Sequence, residues 1–248
     1  IQINLGKTKA WNGAGIEPRG IQALAGESDV VWVGSQDLPT SLQGLVVLGT
    51  PIGHNDFVQT HLATTRADQD KLLAMIGKIP DLQTAWLILS MCAATRATYF
   101  LRALPPSSTQ MYAQNHDNAI WHSLKQLLSI DTSGQCEADM KHIAQLPMRL
   151  GGLGLRSAVR TAPAAYWGSW ADCFPMISER HPVAATRISE YMAGASGQEI
   201  PSLAELRQCS EILQAEVCKI TLVGPRSRVA SALPTHPPTT LIPNLVKD

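Results

Sequence analysis

The side chains best suited to chemistry in this sequence are its acids, histidines and cysteines, and their spacing argues against most reactions. Two-metal catalysis needs carboxylates converging on cations about 3.5–4 Å apart, yet no two acids are adjacent anywhere in the chain. Asp68 and Asp70 stand two positions apart in a predicted helix and so point about 200° from one another, as on a solvated surface. Glu137 and Asp139 share that spacing near a predicted helix start, where negative charge complements the helix dipole. His54 and His61 can share a helix face, but capping or surface roles account for them. The five cysteines, Cys92, Cys136, Cys173, Cys209 and Cys218, are odd in number and never close together. They fit neither a disulfide framework nor a Cys-x-x-Cys zinc site, and read as thiols of a reducing compartment. The chain contains no Gly-x-Ser-x-Gly elbow, no Gly-x-x-x-x-Gly-Lys-Ser/Thr phosphate loop and no His-x-x-x-His pair. Gly152-Leu-Gly154 lacks the third glycine of a dinucleotide fingerprint, with Ser157 in its place. No metal or cofactor site is expected within these residues.

The elements that must position any site change character along the chain. Up to residue 54, short apolar runs (Ile1 to Asn4, Val30 to Val33, Gly44 to Leu48) alternate with turn formers such as Asn12-Gly13, Pro39 and Gly49, which predicts a small sheet fragment. From Asn55 the spacing becomes helical. Asn55 is placed to cap a helix whose face carries Val58, Leu62, Leu72, Met75, Ile76 and Ile79, with Pro80 ending it. Asp81 is placed to cap a second helix through Leu104, and Ser107 or Ser108 a third through about Ile130. Further helices are predicted over Cys136 to Gln145, Ser157 to Phe174, Val183 to Met192 and Ser202 to Leu222. Trp86, Trp121, Trp167 and Trp170 fall on core faces of these helices. From Gly224 the sequence mixes Pro, Ser and Thr without periodicity, as an extended or poorly ordered tail would. Short connections between amphipathic helices favour antiparallel packing. The expected fold is therefore mainly α, an antiparallel helical body behind a small β-containing start.

Composition narrows the partners. The 248 residues carry 20 Lys+Arg against 20 Asp+Glu, and 45% are hydrophobic. A chain of this length can bury a true core. A net charge of zero removes any broad polyanion field, so contact with nucleic acid must come from local patches. Two such patches stand out. Between Asp81 and Asp117 the only charged side chains are Arg96 and Arg102, and from Lys141 to Trp170 there are Lys141, Arg149, Arg156 and Arg160 with no acid. Arginines also cap helix ends and stack on tryptophans, so each window has a structural reading beside the functional one. The most apolar stretch, Thr84 to Leu104, contains Arg96 and Arg102 and does not read as a bilayer span. An intracellular protein, nuclear or cytoplasmic, with no membrane partner is expected. The opening at Ile1 without a signal segment gives the expectation of an internal piece of a longer chain.

Three motifs in order carry a resemblance. Asn4-Leu-Gly-Lys7-Thr8-Lys9 resembles the Asn-x-x-Lys-Thr/Ser segment that follows the catalytic hairpin in reverse transcriptases of non-long-terminal-repeat (LINE-like) retrotransposons. Val46-Val47-Leu48-Gly49-Thr50-Pro51-Ile52-Gly53 looks like that family's Leu-Gly hairpin, the primer grip where palm meets thumb. Leu146-Pro147-Met-Arg149-Leu-Gly-Gly-Leu-Gly-Leu-Arg156-Ser157 is similar to the Gly-Gly-Leu-Gly-Leu-Arg segment downstream of the thumb, and the likeness continues through Trp167 into Trp170-Ala-Asp172.

The resemblance implies a fragment of an RNA-directed DNA polymerase: a palm remnant at 1–54, a thumb-like bundle at 55–146, a connecting region at 147–223 and a tail at 224–248. It implies a primer–template or RNA–DNA duplex as partner, together with the missing N-terminal polymerase region. The family's magnesium-binding carboxylates, one early in the palm and two in a Tyr/Phe-x-Asp-Asp turn, have no counterpart here, so the fragment is expected to be inactive. Magnesium would belong to the intact polymerase. Lys7, or Lys9 in its place, would assist the departing pyrophosphate only with a palm present. Leu48, Gly49, Thr50, Pro51 and Gly53, with Arg96, Arg102, Arg149, Arg156 and Arg160, are the expected nucleic-acid contacts, the glycines through backbone able to approach sugar and phosphate. The competing readings are an α-helical interaction or scaffold domain whose glycine loop at 149–156 is structural, and a decayed element remnant without activity.

Overall fold

The computed structural model describes residues 8–24, 31–130, 135–195 and 200–223. The expected strand at Ile1 to Asn4, Lys7 and the tail from Gly224 lie outside the described residues. The fold is mainly helical with one small antiparallel sheet, as the periodicity predicts. The chain divides into two compact units, Ile1–Ala85 and Trp86–Asp248. The division falls inside the segment from Asp81 to Leu104 that the spacing predicted as one helix.

In the first unit, strand β1 (Gly44–Val47) pairs with β2 (Thr50–Gly53) around a two-residue turn, Leu48-Gly49. Both turn residues have positive φ, 50° and 87°, the backbone of a turn whose twist matches a hairpin. Pro51 lies opposite Val46, one position from the Val47–Thr50 pair that closes the turn. Antiparallel pairs alternate between bonded and non-bonded, so the residue without an N–H takes a place where the ladder needs none. At the open end Gly44 faces Gly53. A β-carbon on Gly44 would run into the Phe57 ring, and one on Gly53 would run into Gln43 and Gly44. Val30 lies outside the described residues. Val31, Trp32 and Val33 are buried, and among the described residues their ladder contact is a single parallel bridge between Trp32 and Ala10.

Helix α1 (Asn55–Ile76) follows the hairpin directly. Its cap is His54 rather than Asn55: the imidazole Nδ1 accepts from the Asp56 N–H at 3.2 Å, and the His54 N–H is itself held by the Gln43 carbonyl at 2.8 Å. Asp56 in turn accepts from Thr40 Oγ1 at 2.6 Å, tying the first turn to the segment before β1. Val58, Leu62, Leu73 and Ile76 are buried on one face, with Arg66 and Gln69 buried beside them and bonded to each other at 2.9 Å. The helix ends at Gly77, before Pro80 is reached.

Asp81 does cap the next helix, accepting from the Thr84 N–H at 2.7 Å. That helix is not continuous. Short α2 (Leu82–Leu87) gives way to a π-helical turn over Ile88–Ala93, and α3 (Thr98–Ala103) resumes after a bend. The Ala94 N–H reaches back five residues to the Leu89 carbonyl at 2.9 Å, and the Ala94 carbonyl meets Nε2 of the buried His116 at 3.2 Å. A tertiary partner for a carbonyl outside the regular ladder is what lets such a turn persist.

The second unit is built around α6 (Ala158–Arg180), which packs against α3, α4 (Pro106–Leu128), α7 (Pro182–Met192) and α8 (Pro201–Val223). Small residues Ala158, Ala162 and Ala165 are buried on α6, and Phe100, Leu101, Tyr112, Ile120 and Leu124 are buried on α3 and α4. The Phe100 and Tyr112 rings meet edge to face at 5.5 Å. On the other side, Tyr166, Tyr191, Leu203, Leu206 and Cys209 form a buried cluster that Trp167 and Trp170 partly cover. Helix α5 (Gln135–Gln145) is held to α4 through Glu137, which accepts from Trp121 Nε1 at 2.8 Å and from Lys125 Nζ at 2.6 Å. The carboxylate pair that spacing assigned to dipole compensation is thus split, with Glu137 serving as a cross-helix acceptor.

Two helix starts are capped from other helices. The α4 start has no side-chain cap of its own at Pro105. Instead Glu205 of α8 accepts from the Ser107 N–H at 2.9 Å and from Ser107 Oγ at 2.7 Å, so Ser107 is held rather than capping. Asp117, buried on α4, does the same for α6.

Candidate nucleic-acid interface

The residues expected to touch nucleic acid are divided between the units, the hairpin residues in the first and the arginines in the second. On the hairpin, Leu48 is 93% exposed and Gly49 is exposed beside it. Thr50 is half-buried, whereas Pro51 is fully buried. The space next to Gly53 is taken by Gln43 and Gly44. The hairpin therefore offers its tip, Leu48-Gly49-Thr50, and turns the Pro51 and Gly53 side inward. A leucine at positive φ costs roughly 1–2 kcal/mol relative to an ordinary backbone conformation. Here that cost is borne by an exposed side chain.

In the second unit the glycine-rich segment is a compact loop wrapped over the carboxyl end of α5. After a 3-10 turn at Met148–Leu150, Gly151 takes a left-handed φ of 83° and Gly154 one of 69°. The Gly154 N–H donates to the Leu146 carbonyl at 2.9 Å and the Leu155 N–H to the Ala144 carbonyl at 3.1 Å. These bonds satisfy carbonyls that the end of α5 leaves without helical donors. A β-carbon on Gly152 would run into the carbonyl oxygens of Ile143 and Leu146. Each glycine thus has a conformational or steric reason in the fold.

The loop ends where α6 begins, and Asp117 fixes that junction. Its carboxylate accepts from Ser157 Oγ at 2.6 Å, from the Ala158 N–H at 2.6 Å and from the Val159 N–H at 3.3 Å. Ser157 Oγ completes the cap by accepting from the Arg160 N–H at 3.2 Å. Carboxylate against a helix start satisfies orphan donors and complements the dipole at once.

Arg149, Arg156 and Arg160 are exposed around this junction, and their side chains have no hydrogen-bond or ion-pair partner among the described residues. Arg96 is exposed and also unpaired among them. Arg102 is engaged: its Nη2 pairs with Asp172 Oδ2 at 2.7 Å, linking α3 to α6. Beside Arg156 lies a notch of about 10 Å³, lined by Asp117, Trp121 and Lys141 among others, with room for roughly one water molecule. That notch is too small for a nucleotide base.

The described residues contain no group of three or more His, Cys, Asp or Glu placed to hold a metal ion. Cys209 is buried, and burial, with the Glu205 charge second, pushes its thiol up to about 11, which leaves it protonated and unreactive at neutral pH. No helix among the described residues is long and apolar enough to cross a membrane. The foreign caps Asp117 and Glu205, and the aliphatic side chains exposed at the loop, escaped sequence reasoning. Nothing in the local pattern marks an acid in mid-helix as the cap of another helix. No family model, no curated protein and no solved structure matches the chain.

Proposed function

We propose that this chain is the primer–template-binding part of a retroelement RNA-directed DNA polymerase, without that enzyme's metal-binding carboxylates and without catalytic activity of its own. The observation that carries the reading is the hairpin tip. An apolar side chain, 93% exposed and in a costly left-handed backbone conformation, sits where the Leu-Gly motif predicts a contact with primer. Arg96, Arg149, Arg156 and Arg160, without partners among the described residues, supply groups that could face phosphates, while Arg102 would first have to leave Asp172.

The test is titration of the full chain with a labelled RNA–DNA duplex across a range of salt concentrations. Binding should weaken steeply as salt rises, because phosphate neutralisation releases counterions. Arg96→Glu combined with Arg156→Glu should lower affinity about tenfold or more. Leu48→Asn separates function from folding. Asparagine adopts the left-handed backbone more readily and Leu48 buries little, so this variant should keep or slightly raise stability while losing duplex affinity severalfold. Absence of binding, salt-independent binding, or wild-type affinity in all these variants would overturn the reading.

A second reading, an α-helical protein-interaction domain, is favoured by the glycine loop. Its bonds to the end of α5 and the crowding at Gly152 account for the motif without any nucleic acid.

A further inference from the structure

The glycine loop and the helix ends it joins present a face of mixed character. Arg149, Arg156 and Arg160 are exposed there without partners among the described residues, and the stretch from Lys141 to Trp170 contains no acid. The same loop exposes two aliphatic side chains, Met148 at 60% and Leu150 at 63%. The loop's bonds to Ala144 and Leu146 hold these groups on one scaffold, and Gly154 lies directly beside Met148. The face is shaped before any ligand arrives.

Cations alone would serve to track the backbone of a duplex, whose bases are stacked and paired inside. Exposed methionine and leucine gain little from such a partner. An unpaired strand differs, because it offers ribose and base faces as well as phosphates. Aliphatic side chains and guanidinium planes can cover those faces while the same arginines meet the phosphates. We infer that this face binds an unpaired nucleic-acid strand, with Arg149, Arg156 and Arg160 on its phosphates and Met148 and Leu150 against its bases and sugars. The inference rests on the nucleic-acid reading above and narrows it for this one surface.

The experiment compares two labelled ligands on the full chain: a short oligoribonucleotide that cannot self-pair, and an RNA–DNA duplex. The double variant Met148→Ser with Leu150→Ser changes only exposed positions, and its helical circular dichroism should match the parent. It should bind the single strand about tenfold more weakly, the scale of one lost base contact, with duplex affinity changed less than twofold. Arg149→Gln with Arg156→Gln should flatten the salt dependence of single-strand binding by about 1.4 in log–log slope, at roughly 0.7 per phosphate contact. Equal losses on both ligands, or no loss on the single strand, would overturn the assignment of this face while leaving duplex binding intact. If neither nucleic acid binds, the broader reading falls with it. Should an acidic amphipathic peptide bind in their place and lose affinity in the Ser variants, the face belongs to a protein partner and the inference is wrong.

Discussion

The two glycine-bearing turns of this chain look alike in sequence and behave in opposite ways. At Leu48-Gly49 the positive φ values close a two-residue hairpin and leave Leu48 93% exposed. At Gly151 to Gly154 the same backbone freedom folds a loop down onto the end of α5, where backbone donors meet Ala144 and Leu146 carbonyls. The first glycine serves presentation and the others serve closure. Glycine at a motif position therefore says that the backbone comes close to something; only the fold says whether that is a ligand or the chain itself.

The largest effect should come from cutting the anchor of the second turn. Asp117→Ala removes the acceptor for Ser157 Oγ and for two N–H groups at the start of α6, the helix that packs against four others. Leaving buried donors without an acceptor should cost about 2–4 kcal/mol, read as a lower urea midpoint of the helical unit by tryptophan fluorescence. Asp117→Asn keeps one acceptor oxygen and should cost less. A loss under about 0.5 kcal/mol for the alanine variant would mean that the junction is held by packing alone.

A smaller effect tests the contrast itself. Gly152→Ala must push a methyl group into the carbonyls of Ile143 and Leu146, and should cost about 2 kcal/mol or more through backbone displacement. Gly49→Ala carries the conformational penalty of its positive φ, about 1 kcal/mol. Chemical denaturation of the two variants should rank them in that order. Equal costs would erase the distinction between a packed glycine and a presenting one.

Particular elements explain how far sequence reasoning reached. Helices α1, α4, α5, α7 and α8 begin and end within a few residues of their predicted bounds because each carries its own apolar stripe and breaker. The strand run from Gly44 was legible in the sequence, but Gly49 and Gly53 predict the turn at Thr50-Pro51 and it falls instead at Leu48-Gly49, because Leu48 takes a positive φ that its residue type does not announce. The π-helical turn at Ile88–Ala93 was not legible, because it depends on His116, 22 positions later, meeting the Ala94 carbonyl. Nor was the role of Glu205 at the start of α4, 98 positions earlier in the chain. Of the candidate site residues, Leu48 and the three loop arginines are exposed. Burial of Pro51 and the pairing of Arg102 with Asp172 came from packing that no spacing rule encodes.

The smallest effect concerns the other anchor of the glycine loop. Helix α5, on which the loop closes, is tied to α4 by Glu137, whose carboxyl is held below the usual glutamate range first by the hydrogen bond from Lys125 and then by that from Trp121. A carboxyl with a depressed folded-state pKa contributes stability that is fully present above its unfolded pKa and is lost as pH falls through the folded value. The α5 attachment should therefore loosen only in acid, below the normal glutamate titration, and be insensitive to pH near neutrality. Because Trp121 donates to the titrating carboxylate, its fluorescence should report the step directly. Glu137→Gln should abolish the acid step while preserving an acceptor for the indole, and the hairpin tip in the other unit should show no matching transition. A titration of Trp121 that persists unchanged in the glutamine variant would transfer the pH dependence to another group and leave the closed turn without this electrostatic support.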